Sequence, residues 1–253
     1  MDLGLKGAKV LVTGGTKGIG RAIAETFAAE GADVGICARN AAEVATMVAS
    51  LQSQDKVAYG AAVDVSDGPA LKAWVADMAE TLGGIDVVVA NVSALSIGPD
   101  EDSWQRSFST DMMGTVRLVD AAMPYLEKSA APAIVTISSV SGREVDFAAG
   151  PYGTFKAAII HYTQGLAFQL AGKGIRANSV SPGNTYFEGG VWNMIKDGNP
   201  ELYAASLALN PTGRMGTPQE MANAAVFLAS RAASFITGAN LVVDGALTRG
   251  VQF

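Results

Sequence analysis

Val10-Leu11-Val12-Thr13-Gly14-Gly15-Thr16-Lys17-Gly18-Ile19-Gly20 is the stretch that decides the fold. A short β-branched run ends in a glycine cluster. The cluster leads straight into a pattern in which Ile19, Ile23 and Phe27 share one helical face, closed by Gly31. Strand, glycine turn and helix follow one another without a gap. Glycines 14, 18 and 20 are spaced GxxxGxG. They let the backbone turn tightly and leave the first N–H groups of the helix free to meet a phosphate. At the first strand–helix junction of an alternating chain, such a loop predicts a dinucleotide site built from Gly14, Thr16, Lys17, Gly18, Ile19 and Gly20.

The alternation continues outward from the loop. Apolar runs predict further strands at 34–37, 57–63, 85–89, 133–137, 175–180 and 240–243, and helical patterns occupy 41–51, 71–82, 103–126, 152–171 and 218–229. Seven β/α alternations predict an α/β fold, a doubly wound parallel sheet of seven strands with helices on both faces. No linker or repeat divides the chain, so residues 1–253 are expected to form one domain. Residues 184–217 break the rhythm. A long insertion after a strand's C-terminal end is where such a sheet carries its ligand. Tyr186, Phe187, Trp192, Met194, Leu202, Tyr203 and Leu207 predict that it forms an apolar substrate lid.

Composition narrows the class. Apolar residues make up 49% of the chain, enough for a full core. Glycine, at 29 of 253 residues, exceeds the roughly 7% of an average protein, as glycine-built turns require. The net charge of -6 argues against nucleic acid and anionic membrane as partners, which both need a basic surface. One histidine, His161, leaves no cluster for a metal, and no stretch approaches the ~18 apolar residues of a membrane helix. A single cysteine, Cys37, and a start without a charged and then apolar leader lead to the expectation of a cytoplasmic protein.

The end of the second strand selects the dinucleotide. A carboxylate there would accept from the ribose 2′-hydroxyl of NAD. The sequence reads Ala38-Arg39-Asn40, with no acid. Arg39 is placed to receive a 2′-phosphate, with Lys17 as a second cation, so NADP(H) is expected. Asp64, followed by Val65 at the end of the third strand, is a candidate for the adenine amino group, or equally a local cap.

Tyr152 and Lys156 stand four apart on a predicted helix and share a face, with Pro151 at the first helical position. Ser139 closes the fifth strand. An unperturbed tyrosine, with a pKa near 10, is a poor acid at neutral pH, and an adjacent ammonium favours its phenolate. Tyr152 is thus a candidate acid/base, with Ser139 hydrogen-bonding the same substrate oxygen.

These residues together resemble the short-chain dehydrogenase/reductase family, NADP-preferring type, similar to its 3-oxoacyl-carrier-protein reductase-like members. The resemblance runs from Gly7 to Gly245. It rests on the 13–20 loop, Asp64-Val65, Ser139 thirteen residues before Tyr152, Tyr152-Gly153-Thr154-Phe155-Lys156, Asn178-Ser179-Val180-Ser181-Pro182-Gly183, and the closing run from Phe235 to Gly245. It implies a Rossmann-type fold and hydride transfer with NADP(H) on a ketone or secondary alcohol. In that scheme Ser139 polarises the carbonyl, Tyr152 is the acid/base and Lys156 tunes it while binding the nicotinamide ribose. Pro182, Gly183 and Thr185 lie against the nicotinamide. The resemblance also implies a homotetramer or homodimer.

Two departures stand out. The family's Asn-Asn-Ala-Gly reads Ala90-Asn91-Val92-Ser93, keeping only Asn91 for the cofactor. The family's helix Asn, anchor of a relay water, aligns with Asp111. Asp111 is kept as a catalytic-site residue because an ionised carboxylate accepts but cannot donate, and its charge near Lys156 would bear on Tyr152. Reduction of a 3-oxoacyl carrier protein is the alternative reading, ranked lower because that acidic partner calls for a basic rim and only Lys128 and Lys173 offer one. A non-redox lyase or a cofactor-sensing protein is a further alternative. It is disfavoured because the glycines, Tyr152 and Lys156 are all present.

Overall fold

In the computed structural model, which describes residues 2–251, seven strands are formed: β1 (Lys9–Thr13), β2 (Asp33–Ala38), β3 (Ala58–Ala62), β4 (Val87–Ala90), β5 (Ala133–Ile137), β6 (Arg176–Pro182) and β7 (Asn240–Val243). They make one parallel sheet in the order β3-β2-β1-β4-β5-β6-β7. The order reverses between β1 and β4, where Val10 lies opposite Val34 on one side and Val87 on the other. A crevice opens at the carboxyl ends of the strands flanking such a reversal.

Nine helices cover the sheet among the described residues: α1 (Gly18–Ala29), α2 (Ala41–Gln52), α3 (Gly68–Leu82), α4 (Glu101–Ser107), α5 (Met113–Leu126), α6 (Pro151–Leu170), α7 (Val191–Gly198), α8 (Pro200–Ala208) and α9 (Pro218–Ala229). Successive strand residues feed opposite layers. Val10, Val12, Val34 and Ile36 pack with Ile23 and Phe27 of α1, Met47 of α2 and Val226 of α9. Leu11, Cys37, Val88 and Ile134 pack with Trp74 of α3, Leu118 of α5 and Leu166 of α6. Burial on both faces is why these strands read as unbroken apolar runs. It also pushes the Cys37 thiol up to about 12, so that the single cysteine stays a thiol.

One expectation needs correction, and the 184–217 insertion gains detail. The helix expected over 103–126 is interrupted by a π turn, Phe108–Met112, between α4 and α5. One extra residue in a turn leaves the apolar periodicity on either side intact, so the pattern does not register it. The 184–217 segment holds α7 and α8, the second started by Pro200 and capped by Asn199, whose Oδ1 accepts from the Leu202 N–H at 3.1 Å.

The segment is tied down at both ends. Thr185 forms a β-bridge with Gly216. Thr217 and Glu220 then make a reciprocal capping box at the start of α9. Both terminal guanidinium nitrogens of Arg214 donate to Glu220, Nη2 at 2.6 Å and Nη1 at 2.8 Å. The Arg214 hydrogen bonds, followed by that from the Thr217 N–H, pull the Glu220 carboxyl down to about 2.

Candidate active site

A cleft of about 900 Å³ opens at the carboxyl edge of the sheet. Gly14, Thr16, Lys17, Gly18, Ile19, Gly20, Arg39, Asp64, Val65, Asn91, Ser139, Tyr152, Lys156, Pro182, Gly183 and Thr185 all line it. Asp111 lies behind the wall, 1% exposed.

The glycine loop forms one end. Gly14 and Gly18 are left-handed, with φ of 69° and 51°. A Cβ on Gly20 would run into the Gly14 carbonyl and the Asn91 amide. Asn91 braces the loop from below: its Nδ2 donates to the Thr13 carbonyl at 3.0 Å and its N–H to Thr13 Oγ1 at 3.1 Å. No side chain caps the N-terminus of α1 at Lys17, so its first N–H groups face the cleft uncapped. Uncapped donors and a cradle too tight for any Cβ fit a pyrophosphate. Val92, where the family has Ala, packs its Cγ2 against Gly14. Ser93 Oγ accepts from the N–H of Leu95, which is itself held in a left-handed conformation with φ of 52°.

The ends of β2 and β3 are more balanced in charge than the sequence suggests. Arg39 is exposed at the cleft. Lys17, expected as a second free cation, is instead paired: its Nζ lies 2.7 Å from Oε1 of Glu43, in the first turn of α2. Asp64 is occupied by a local turn, its Oδ1 accepting from the N–H and Oγ of Ser66 at 2.9 and 2.7 Å. Desolvation opposes ionisation of Asp64. The two Ser66 hydrogen bonds and the charge of Arg39 outweigh it and hold the carboxyl below the usual range.

The Ser/Tyr/Lys group forms the other end. Lys156 is 2% exposed on α6. Its Nζ donates to the Ile137 carbonyl at 2.9 Å and stands 5.6 Å from the centre of the Tyr152 ring. Oδ1 of Asp111 lies 3.5 Å from the same Nζ. The π turn carries Asp111 inward. There Oδ2 accepts from the Ala94 N–H at 2.9 Å, and the backbone carbonyl accepts from Thr115 Oγ1 at 2.7 Å. Oδ1 makes no hydrogen bond, and among the described residues its ion-pair partner is Lys156.

Ser139 follows β5 and starts a short 3₁₀ turn, Val140–Gly142. Its Oγ accepts from the Ser141 N–H at 3.1 Å, which leaves the hydroxyl proton free for a substrate oxygen. The turn is pressed against α6: a Cβ on Gly142 would lie 2.7 Å from the Lys156 carbonyl carbon. Ser138 Oγ donates to the Lys156 carbonyl at 2.8 Å and pins the same junction. Of the charged residues after Ser139, Arg143 and Glu144 are exposed, whereas Asp146 faces the cleft and accepts from Ser141 Oγ at 2.6 Å.

Only part of the 184–217 insertion reaches the cleft. Phe187, Trp192 and Met194 line it, and Trp192 meets Phe147 edge to face at 5.9 Å. Tyr186 and Tyr203 pack on each other at 6.1 Å under Lys196, holding the lid together. Leu202 and Leu207 lie away from the cleft, and His161 is exposed on α6. Glu43 was missed in the sequence because it lies three residues into a helix, not at a strand end where an acid is sought.

The comparisons with known proteins agree with this geometry. Residues 14–248 match a family model described as Enoyl-(Acyl carrier protein) reductase, adh_short_C2. The chain is 44% identical over 259 residues to the isoepoxydon dehydrogenase of Penicillium expansum, covering 100% of this chain and 99% of that one. It superimposes with a TM-score of 0.87 and 29% identity on a short chain dehydrogenase from Burkholderia cenocepacia J2315 in complex with NADP, over 96% of this chain and 98% of that one. A 7α-hydroxysteroid dehydrogenase, complexed with NADH and 7-oxo glycochenodeoxycholic acid, gives a TM-score of 0.90 at 30% identity over 97% and 96% of the two chains. With its doubly wound sheet, glycine cradle and buried lysine beside a tyrosine, and with relatives matched end to end, the chain belongs to the short-chain dehydrogenase/reductase family of oxidoreductases.

Proposed function

We propose that the protein is an NADP(H)-dependent oxidoreductase that interconverts a ketone and a secondary alcohol on a small, largely apolar substrate. The observation that carries the reading is the buried Lys156 ammonium, 5.6 Å from the Tyr152 ring centre, in the same cleft as the uncapped glycine loop. The glycine loop would hold the pyrophosphate, Arg39 the 2′-phosphate, Lys156 the nicotinamide ribose, and Pro182, Gly183 and Thr185 the nicotinamide. When bound, the nicotinamide supplies or accepts the hydride. In the reducing direction Tyr152 gives its hydroxyl proton to the carbonyl oxygen, and Ser139 donates a hydrogen bond to that oxygen. Lys156 favours the phenolate left behind. Ile97, Phe147 and Trp192 supply apolar walls, and Asp146 with Ser141 the polar contact beside them.

The test is a screen of ketones with NADPH and of secondary alcohols with NADP, followed by the absorbance of the reduced nicotinamide. Turnover that Tyr152→Phe abolishes supports the reading, and turnover indifferent to Tyr152 defeats it.

We also propose a homotetramer in the cytoplasm. Trp104 and Phe108, 39% and 43% exposed, stand about 6 Å from the Phe155 ring on one face, and Phe168 and Phe235 are almost fully exposed elsewhere. Aromatic patches of this kind favour a partner copy. Light scattering on the purified protein tests the assembly.

A further inference from the structure

The cofactor end of the cleft contains an acid that the family pattern places elsewhere. Asn40 follows β2 and caps α2, its Oδ1 accepting from the N–H groups of Ala42 and Glu43 at 3.0 and 3.2 Å. The cap fixes the first turn of α2 so that Glu43 points back across the crevice. Three donors hold its carboxylate there. Lys17 Nζ lies 2.7 Å from Oε1, Asn40 Nδ2 donates to the same oxygen at 3.0 Å, and Thr16 Oγ1 donates to Oε2 at 3.4 Å. Two of the donors belong to the glycine loop and one to the β2–α2 turn, so the carboxylate bridges the segments that flank a bound ribose.

We infer that Glu43 is a cofactor-selectivity residue, which withholds Lys17 from the 2′-phosphate of NADPH and offers the 2′-hydroxyl of NADH the carboxylate that β2 lacks. The inference rests on the NADP(H) reading above. A 2′-phosphate carries a charge of about −2 near neutral pH. It must take Lys17 from a partner already at 2.7 Å and come to rest beside a second anion. Arg39 is not free of acids either, since its charge is felt at the Asp64 carboxyl. The two cations at this end therefore face two carboxylates. NADH meets no such repulsion, and a carboxylate accepts well from a ribose hydroxyl. The wild-type protein accordingly prefers NADPH by a smaller margin than Arg39 and Lys17 would give without Glu43.

The experiment measures the Kd of NADPH and of NADH for the full chain, wild type and Glu43→Gln, by quenching of tryptophan fluorescence. Glutamine keeps the shape: its oxygen still accepts from Asn40 Nδ2, its NH2 donates to Thr16 Oγ1 where the carboxylate accepted, and the charge is removed. The ratio of the NADH to the NADPH constant is expected to rise about tenfold in Glu43→Gln, with most of the change in NADPH. The gain should shrink as ionic strength is raised, because charge repulsion at a partly exposed site is screened. A ratio that stays within twofold of wild type, or falls, overturns the role of Glu43. A wild type that binds NADH far more tightly than NADPH overturns the NADP(H) reading instead, so the two failures are told apart.

Discussion

Lys156 and Asp111 face each other inside the protein, with 3.5 Å between ammonium and carboxylate and both side chains almost wholly screened from water. The same ammonium stands 5.6 Å from the centre of the Tyr152 ring. Its charge therefore bears on the Asp111 carboxylate and, in the proposed function, on the Tyr152 hydroxyl as well.

The first prediction follows from that arrangement. Asp111→Asn removes the anion and leaves the lysine's whole effect on Tyr152, favouring the phenolate. The ionisation that governs kcat/KM should move to lower pH. Profiles of wild type and variant that superimpose would limit Asp111 to its backbone carbonyl, already engaged by Thr115.

The pair also bears on stability. Lys156→Met strands the Asp111 carboxylate, whose Oδ1 has no hydrogen-bonding partner. Breaking a buried pair from one side costs about 3–5 kcal/mol. Adding Asp111→Asn to Lys156→Met should recover much of the loss in urea unfolding. Strictly additive losses would mean that the two groups are uncoupled.

Tyr152→Phe keeps the ring beside Lys156 and deletes the transferable proton. Turnover should fall on the order of 10²–10⁴-fold, while cofactor affinity stays within a few fold. A variant retaining more than a tenth of wild-type kcat would point to a different acid.

Gly142→Ala tests the junction of the Ser139 turn with α6. The new methyl would meet backbone atoms of Lys156 and Ala157 at 2.7 and 2.8 Å, so the turn must lift away from the helix. Ser139 then loses its register with Tyr152. kcat should drop at least tenfold with cofactor Kd preserved, because positioning is lost and the glycine loop is untouched. Unchanged kcat would show that the turn relaxes without moving Ser139.

Glu220 predicts how α9 responds to acid. Its carboxyl titrates near 2 when folded, against an ordinary value of 4.5. A depressed carboxylate contributes stability that is fully present above the unfolded value and is lost as pH falls through the folded one. Glu220→Gln should therefore be less stable than wild type at pH 7, and the difference should close between about 4.5 and 2. The pair is exposed, so the gap is modest and salt-sensitive. Denaturant midpoints at pH 7 and pH 3 read it directly, and a gap that widens in acid would reverse the assignment.

The sheet was legible because its central strands, β1, β4 and β5, are buried on both faces, and a run such as Val87-Val88-Val89 has no other reading next to a glycine turn. The glycine loop, Ser139, Tyr152 and Lys156 were legible for a related reason: their spacing along single elements already fixes which way they point. What stayed hidden depends on contacts between elements. Asp111 turns inward because a π turn adds a residue, and composition cannot announce that. Lys17 reads as a free cation until α2 brings Glu43 across to it. Tyr186 and Phe187 are neighbours in sequence, yet one packs on Tyr203 and the other lines the cleft.

Thr13 Oγ1 donates to the Val89 carbonyl across 76 residues of chain, at the seam where β1 lies against β4. Contacts between β1, β2 and β3 join neighbours in the chain, but this seam must wait until a long loop has closed. It is also the line along which the glycine loop meets Asn91, so the floor of the cleft is among the later parts of the sheet to be sealed. A refolding chain should accordingly regain its helical signal before it regains its cofactor site. Recovery of activity thus reports the joining of the two half-sheets and not the formation of either.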